Sequence, residues 1–239
     1  MSKVLAGKTA VVTGGTRGIG FQIVKRLLEE GMAVAFCGRT AEGVDRALRE
    51  LTETTGRADK VAGFAADITS SEEIEKFFAV VDERLGGVDV LVNNAGVGLF
   101  ANVGEITPDQ WRAVLDTNLT GTFLSSREAV RRMRNRGGGF IVNISSLAGK
   151  NAFAGGSAYN ASKFGLNGFT EAMMLDVRYD NIRVSTIAPG SVSTEFRSGG
   201  GADWKIAPED VAEVVVMVLS MAERTLISNV ELRPSKPRK

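Results

Sequence analysis

The chain has 239 residues, 44% hydrophobic and 24% charged, with a formal net charge of +1; these are ordinary values for a globular protein, and with no basic stripe interleaved with aromatics they argue against a nucleic-acid partner. One cysteine and no histidine exclude an internal disulfide, most zinc sites and any Ser–His or Cys–His nucleophile pair, so acid–base chemistry must rest on Tyr, Lys or carboxylates. The opening MSKVLAGKTAVVTGG lacks the apolar core of a signal peptide and the greasiest helical stretch, VAEVVVMVLSMA, is about half a membrane span, so we expect a cytoplasmic protein, with Cys37 in a reducing compartment and no membrane partner.

Short β-branched runs alternate with longer helical patterns. TAVVT (9–13) reads as a strand and GIGFQIVKRLLEEG (18–31) as a helix closed by Gly31. AVAFC (33–37) is a second strand, followed by a helix through about Leu51, and KVAGFAAD (60–67) is a third strand. Residues 70–87 read as a helix with a capping box of Ser70 and Glu73, and VDVLVN (88–93) as a fourth strand. Residues 107–139 read as one long helix stopped by glycines, with Thr107 as cap and Pro108 in its first position. FIVNIS (140–145), a helix over 157–179, IRVSTIAP (182–189), a helix over 207–222 and NVELRP (229–234) complete the series. The central strands are near-continuous apolar runs, the mark of strands covered on both faces. With short connections and no linker or repeat, this predicts one α/β domain over 1–239, a doubly wound, mostly parallel seven-stranded sheet of Rossmann type with helices on both faces.

TGGTRGIG (13–20) lies between the first strand and the first helix. Gly14, Gly18 and Gly20 let backbone approach a pyrophosphate at the positive helix end, and Thr16, Arg17 and Ile19 complete the loop. An enzyme choosing NAD would place a carboxylate at the end of the second strand to hold the ribose hydroxyls. That end reads Cys37-Gly38-Arg39-Thr40, and Arg39 suits a 2′-phosphate. Arg17 at a helix N-terminus is disfavoured unless an anion lies nearby. The loop therefore predicts NADP(H).

The motifs TGGTRGIG, Asp67 after the third strand, NNAG (93–96), NLTG (118–121), NISS (143–146), YNASK (159–163) and PGSVST (189–194) together resemble the short-chain dehydrogenase/reductase family, and their core is similar to 3-oxoacyl-[acyl-carrier-protein] reductases. The resemblance implies a role for each. Asp67 would contact the adenine amino group, and Asn94, Ala95 and Gly96 would shape the loop over the cofactor. Asn118 would hold a proton-relay water from a break in the long helix, and Ser146, thirteen residues before Tyr159, would hydrogen-bond the substrate oxygen. Tyr159 would be the acid/base with Lys163 as its partner. Pro189, Gly190, Val192 and Thr194 would hold the nicotinamide end. Helices 107–136 and 157–179 resemble those that pair between subunits, which implies a homodimer or homotetramer.

The chemistry accounts for the residue types. Carbonyl reduction needs a hydride at carbon and a proton at oxygen. Tyrosine's ordinary pKa of about 10 is too high for neutral pH, and bringing it near 7 takes about 4 kcal/mol of preferential phenolate stabilisation. Residues four apart share a helix face, so an ammonium at Lys163 can contribute much of that in a partly desolvated site.

This chain departs from the resemblance after PGSVST. Its substrate loop, about 191–207, is short and contains Gly199 to Gly201, so the pocket is either open or closes on binding. Leu99, Phe100, Phe153, Phe196 and Trp204 are candidate pocket linings, and equally candidate loop anchors. The expected activity is hydride transfer between NADP(H) and a small-molecule carbonyl or secondary alcohol. The alternatives are a dehydrogenase of small 3-hydroxy acids and a non-catalytic NADP-sensing regulator.

Overall fold

A computed structural model describes residues 4–196 and 202–237. Seven strands form one sheet in the order β3-β2-β1-β4-β5-β6-β7: β1 Thr9–Thr13, β2 Ala33–Gly38, β3 Val61–Ala65, β4 Val90–Asn93, β5 Gly139–Ile144, β6 Ile182–Pro189 and β7 Asn229–Leu232. Every pairing is parallel, so the expectation of a mostly parallel sheet holds throughout. The helices are α1 Gly18–Glu29, α2 Ala41–Thr55, α3 Ser71–Leu85, α4 Pro108–Leu115, α5 Gly121–Arg136, α6 Ser157–Val177 and α7 Pro208–Leu219.

Alternation along each strand divides the core in two. In β2, Phe36 packs with α1, α2 and α7, while Cys37 faces the opposite cluster with α3, α5 and α6. Adjacent residues of β1, Val11 and Val12, divide the same way. Both faces being buried is why these strands read as continuous apolar runs. Each fully buried large side chain, such as Phe36 or Phe78, contributes roughly 1.5–3 kcal/mol of transfer free energy.

β1 and β4 are neighbours, but β2 lies beyond one and β5 beyond the other. The connections leaving β1 and β4 therefore run in opposite directions and part at the carboxyl edge, which opens a crevice there.

Two local readings change. Residues 107–139 are not one uniform helix: α4 and α5 are joined by a π-helical turn, Asp116–Thr120, with the chain leaving α5 through Gly137 at φ +83°. The cap is as expected, Thr107 Oγ1 accepting from Gln110 N and Gln110 Oε1 from Thr107 N. At α3 only half of the expected capping box forms. Ser70 Oγ accepts from Glu73 N at 3.3 Å, but Glu73 Oε2 accepts from Asp67 N at 2.8 Å. No helix among the described residues is long and apolar enough to cross a membrane.

Candidate active site

The crevice is built first from β1 and β4. Thr13 Oγ1 accepts from the main-chain N–H groups of Asn94 and Ala95, both at 3.1 Å, and Asn94 Nδ2 donates to the carbonyls of Thr13 and Gly14. The two strand ends are thus tied across the place where the loops diverge. Gly14 has φ +67°, and a Cβ there would stand 2.8 Å from Ala95 Cα. A Cβ at Gly20 would collide with Gly14 O and Asn94 Nδ2. The glycines keep the loop flat and bring its N–H groups to the start of α1, an arrangement fit for a pyrophosphate. Thr16 places its methyl at Gly38, the end of β2, and Ile19 anchors the first turn of α1 in the core. Gly18 faces Thr194 across the crevice.

Arg39 follows β2, exposed, with no side-chain partner among the described residues, while Thr40 Oγ1 caps α2 by accepting from Gly43 N. Arg17, also exposed, pairs with Glu195 at 3.1 Å. Asp67 Oδ1 accepts from Thr69 N and Thr69 Oγ1 at 2.9 and 2.8 Å, a turn-capping use that leaves Oδ2 without a partner among the described residues. Gly96 lies against Asn118 Oδ1. Pro189 ends β6; Gly190 N donates to Leu232 O; Val192 pairs with Ile206 in an isolated bridge.

The residues expected to handle the proton gather where β5 ends. Ser145 is buried and its hydroxyl donates to Asn167 Oδ1 at 2.6 Å. Ser146 is half-buried, and its Oγ accepts from Ala148 N at 3.1 Å, capping a short 3-10 turn. That bond uses a lone pair and leaves the hydroxyl hydrogen for another acceptor. Tyr159 and Lys163 sit one turn apart at the start of α6, with Lys163 Nζ 5.8 Å from the Tyr159 ring centroid. Lys163 is buried, 4% exposed, and donates to Ile144 O at 3.0 Å. Burial pushes its ammonium down from 10.5 to about 8, so at neutral pH it remains a cation. The phenol ring lies between Phe100, edge-on at 5.4 Å, and Phe196 at 5.9 Å.

Asn118, at the π-helical turn, is buried. Its Oδ1 accepts from Val97 N at 2.8 Å, and its Nδ2 donates to Val97 O at 2.9 Å and Ser162 Oγ at 3.0 Å. Ser162 Oγ donates in turn to Tyr159 O at 2.8 Å. Both amide hydrogens are therefore committed to bracing the loop after β4 and the first turn of α6.

Sequence reasoning missed the residues beneath. Asn93 and Asn143 lie in register on β4 and β5. Asn93 Nδ2 donates to Ser126 Oγ and Asn143 Oδ1, and Asn143 Nδ2 donates to Thr170 Oγ1. This buried chain ties α5 to α6. The available signal was an asparagine at the end of one apolar strand and another one residue before the end of its neighbour.

A parallel sheet of this order, with a glycine turn at its switch point and a buried Tyr–Lys pair beside it, defines a dinucleotide-binding α/β protein. The chain belongs to the short-chain dehydrogenase family, whose model matches residues 8–203. It is similar to a 3alpha-hydroxysteroid dehydrogenase of Mediterraneibacter gnavus, 38% identical over 82% of this chain and 78% of that protein. Among solved structures it is similar to a metagenomic short-chain oxidoreductase in complex with NADP, with 37% identity, a TM-score of 0.85, and 98% of this chain and 100% of that chain covered. It also resembles a variant of the actinorhodin polyketide ketoreductase solved with NADPH, with 33% identity, a TM-score of 0.88 and 98% of both chains covered.

Proposed function

We propose that the protein is an NADP(H)-dependent carbonyl reductase or secondary-alcohol dehydrogenase of the cytoplasm, in which Tyr159 exchanges the proton. The observation that carries this is the buried Lys163 ammonium one helical turn from Tyr159, beside a crevice whose glycine cradle has no room for side chains. The family membership and the similarity to structures solved with NADP and NADPH support it.

Gly14, Thr16, Arg17, Gly18, Ile19 and Gly20 would hold the pyrophosphate, Arg39 the 2′-phosphate and Asp67, through its remaining oxygen, the adenine amino group. Asn94, Ala95 and Gly96 would line the loop over the cofactor, and Pro189, Gly190, Val192 and Thr194 its nicotinamide end. When bound, the nicotinamide supplies or accepts the hydride. Ser146 donates its free hydroxyl hydrogen to the substrate oxygen and stabilises charge developing there. Tyr159 Oη gives its proton to that oxygen during reduction and takes it back during oxidation. Lys163 lowers the cost of the phenolate left behind. Asn118 holds Tyr159 in place through Ser162; a relay water at this turn would be received at oxygen, since both amide hydrogens are used.

Arg39→Asp tests the cofactor half. Wild type is expected to prefer NADPH, and the variant to shift the ratio of NADPH to NADH kcat/KM by about 10–100-fold toward NADH, the worth of a charge-assisted contact. An unchanged ratio rejects the assignment.

We also propose that the protein is a homodimer or homotetramer built on α4, α5 and α6. Trp111, Phe123, Phe164 and Leu175 are 39, 43, 46 and 53% exposed there, more apolar surface than a solvent-facing helix layer needs. Sedimentation at micromolar concentration should show a dimer or tetramer; a monomer alone rejects the proposal.

A further inference from the structure

We infer that Asn167 is a positioning residue for carbonyl reduction: it occupies the Ser145 hydroxyl and fixes the turn that presents Ser146 to the substrate oxygen. The inference rests on the carbonyl-reductase reading above and adds to it the residue that decides which of two adjacent serines is left for the substrate.

The segment 144–149 runs from the end of β5 through a short 3-10 turn, Leu147–Gly149, that packs against α6. One side of α6 holds this segment at four points. Asn160, Lys163 and Asn167 are spaced three and four residues apart, so they share a helix face. Asn160 Nδ2 donates to Ala148 O at 2.6 Å, Lys163 Nζ to Ile144 O at 3.0 Å and Asn167 Nδ2 to Gly149 O at 3.0 Å. The fourth point is the Ser145 hydroxyl, which donates to Asn167 Oδ1 at 2.6 Å. The approach is close, since a Cβ at Gly149 would stand 2.6 Å from Asn167 Nδ2 and 2.8 Å from Lys163 O.

Asn167 therefore spends both ends of its amide on this one segment. A serine has one hydrogen to give, and Ser145, 4% exposed, gives it to Asn167. Ser146 Oγ receives from Ala148 N at 3.1 Å, and its hydrogen has no acceptor among the described residues. The Ser146 hydroxyl is thus the one side-chain polar group of 144–149 that α6 leaves for a substrate. Its aim depends on Ala148 N, and the two carbonyls that follow, of Ala148 and Gly149, are the ones Asn160 and Asn167 hold. Without the Asn167 amide, Gly149 O is released and the Ser145 hydrogen competes with that of Ser146. A misplacement of about 1 Å in such a group can cost about 10²-fold in rate. Asn160 is the less selective probe, because it also donates to Asn151 O and accepts from Phe153 N.

The experiment is a double-mutant cycle on Asn167→Ala and Ser146→Ala, with Ser145→Ala as a further variant, read as NADPH oxidation with 2-tetralone, cyclohexanone and ethyl acetoacetate. Ser146→Ala should lower kcat by about 10²–10³-fold, the worth of one donor to a developing oxyanion. Asn167→Ala should lower kcat by about 10–100-fold, with NADPH affinity within about threefold and the pH profile of kcat unshifted, since Lys163 keeps its own partner. In the Ser146→Ala background the same change should cost less than about threefold, because the hydroxyl it positions is gone. Ser145→Ala should stay within about threefold of wild type, since Asn167 still holds Gly149 O. Asn167→Leu, which fills the space and makes neither bond, carries the same cycle where Asn167→Ala does not fold. Equal losses from Asn167→Ala in the two backgrounds, a shifted pH profile, or kcat within about twofold of wild type overturns the role and leaves the reductase reading intact. A loss in Ser145→Ala as large as that in Ser146→Ala does the same. A wild type that reduces none of these ketones overturns the reductase reading and this role together.

Discussion

Tyr159→Phe is expected to lower kcat by about 10³-fold or more while leaving NADPH affinity within about threefold, because positioned proton transfer contributes about 10²–10⁴. The substitution removes one oxygen. It keeps the ring, and with it the contacts to Phe100 and Phe196. It also keeps the main-chain carbonyl that receives Ser162 Oγ, so the fold and the cofactor crevice should survive. Steady-state NADPH oxidation and a fluorescence titration of bound NADPH read the two quantities separately. Residual turnover within about tenfold of wild type would show that the proton comes from elsewhere, since loss of a general acid at this position cannot cost so little. Weakened cofactor binding with kcat preserved would mean that Tyr159 is a cofactor-holding residue only.

How far the site could be read in advance depended on how local each relation is. Tyr159 and Lys163 lie four apart on one helix, and their common face follows from helix geometry. The glycine cradle lies within eight residues between a strand and a helix. The strands of the sheet were visible because burial on both faces leaves continuous apolar runs. What escaped depends on tertiary position. A sequence shows that Lys163 carries a charge but not that it is buried against Ile144 O, since lysine is almost always at the surface. The π-helical turn at Asp116–Thr120, which holds the Asn118 amide between the loop after β4 and α6, adds one residue to a helical pattern too coarse to register it; only the family resemblance implied a break there. Glu73 abandoned its expected partner because Asp67 N was within reach. Arg17 and Glu195 pair across a separation of 178 residues. Phe100, Phe153 and Phe196 could be named as linings, but their meeting at Tyr159 is set by three loops whose approach no periodicity encodes.

Lys163→Met should separate the catalytic and the structural consequences of that buried ammonium. Its pKa is held near 8 in the folded chain by burial, against an ordinary 10.5. Below about pH 8 both folded and unfolded chains carry the proton, and the folded state bears the full cost of a desolvated charge. Between about 8 and 10.5 the unfolded chain binds the proton and the folded chain does not, so stability rises with pH through that window. The gap corresponds to roughly 3 kcal/mol at most. Urea unfolding of the cofactor-free protein at pH 7.5 and pH 10 should therefore show wild type gaining stability by up to about 3 kcal/mol relative to Lys163→Met over the same interval. The comparison cancels the ionisable groups remote from this site, which are the same in both proteins. The methionine is neutral and of similar length, but it leaves Ile144 O without its Nζ donor, at a cost of about 1–3 kcal/mol that does not depend on pH. Turnover at neutral pH should fall by about 10²-fold or more, since the phenolate loses the charge that makes it accessible. Parallel pH curves for the two proteins would show that Lys163 is not held in a desolvated site. Unchanged turnover would remove it from the proton chemistry, and Tyr159 would then need another source for the stabilisation of its phenolate.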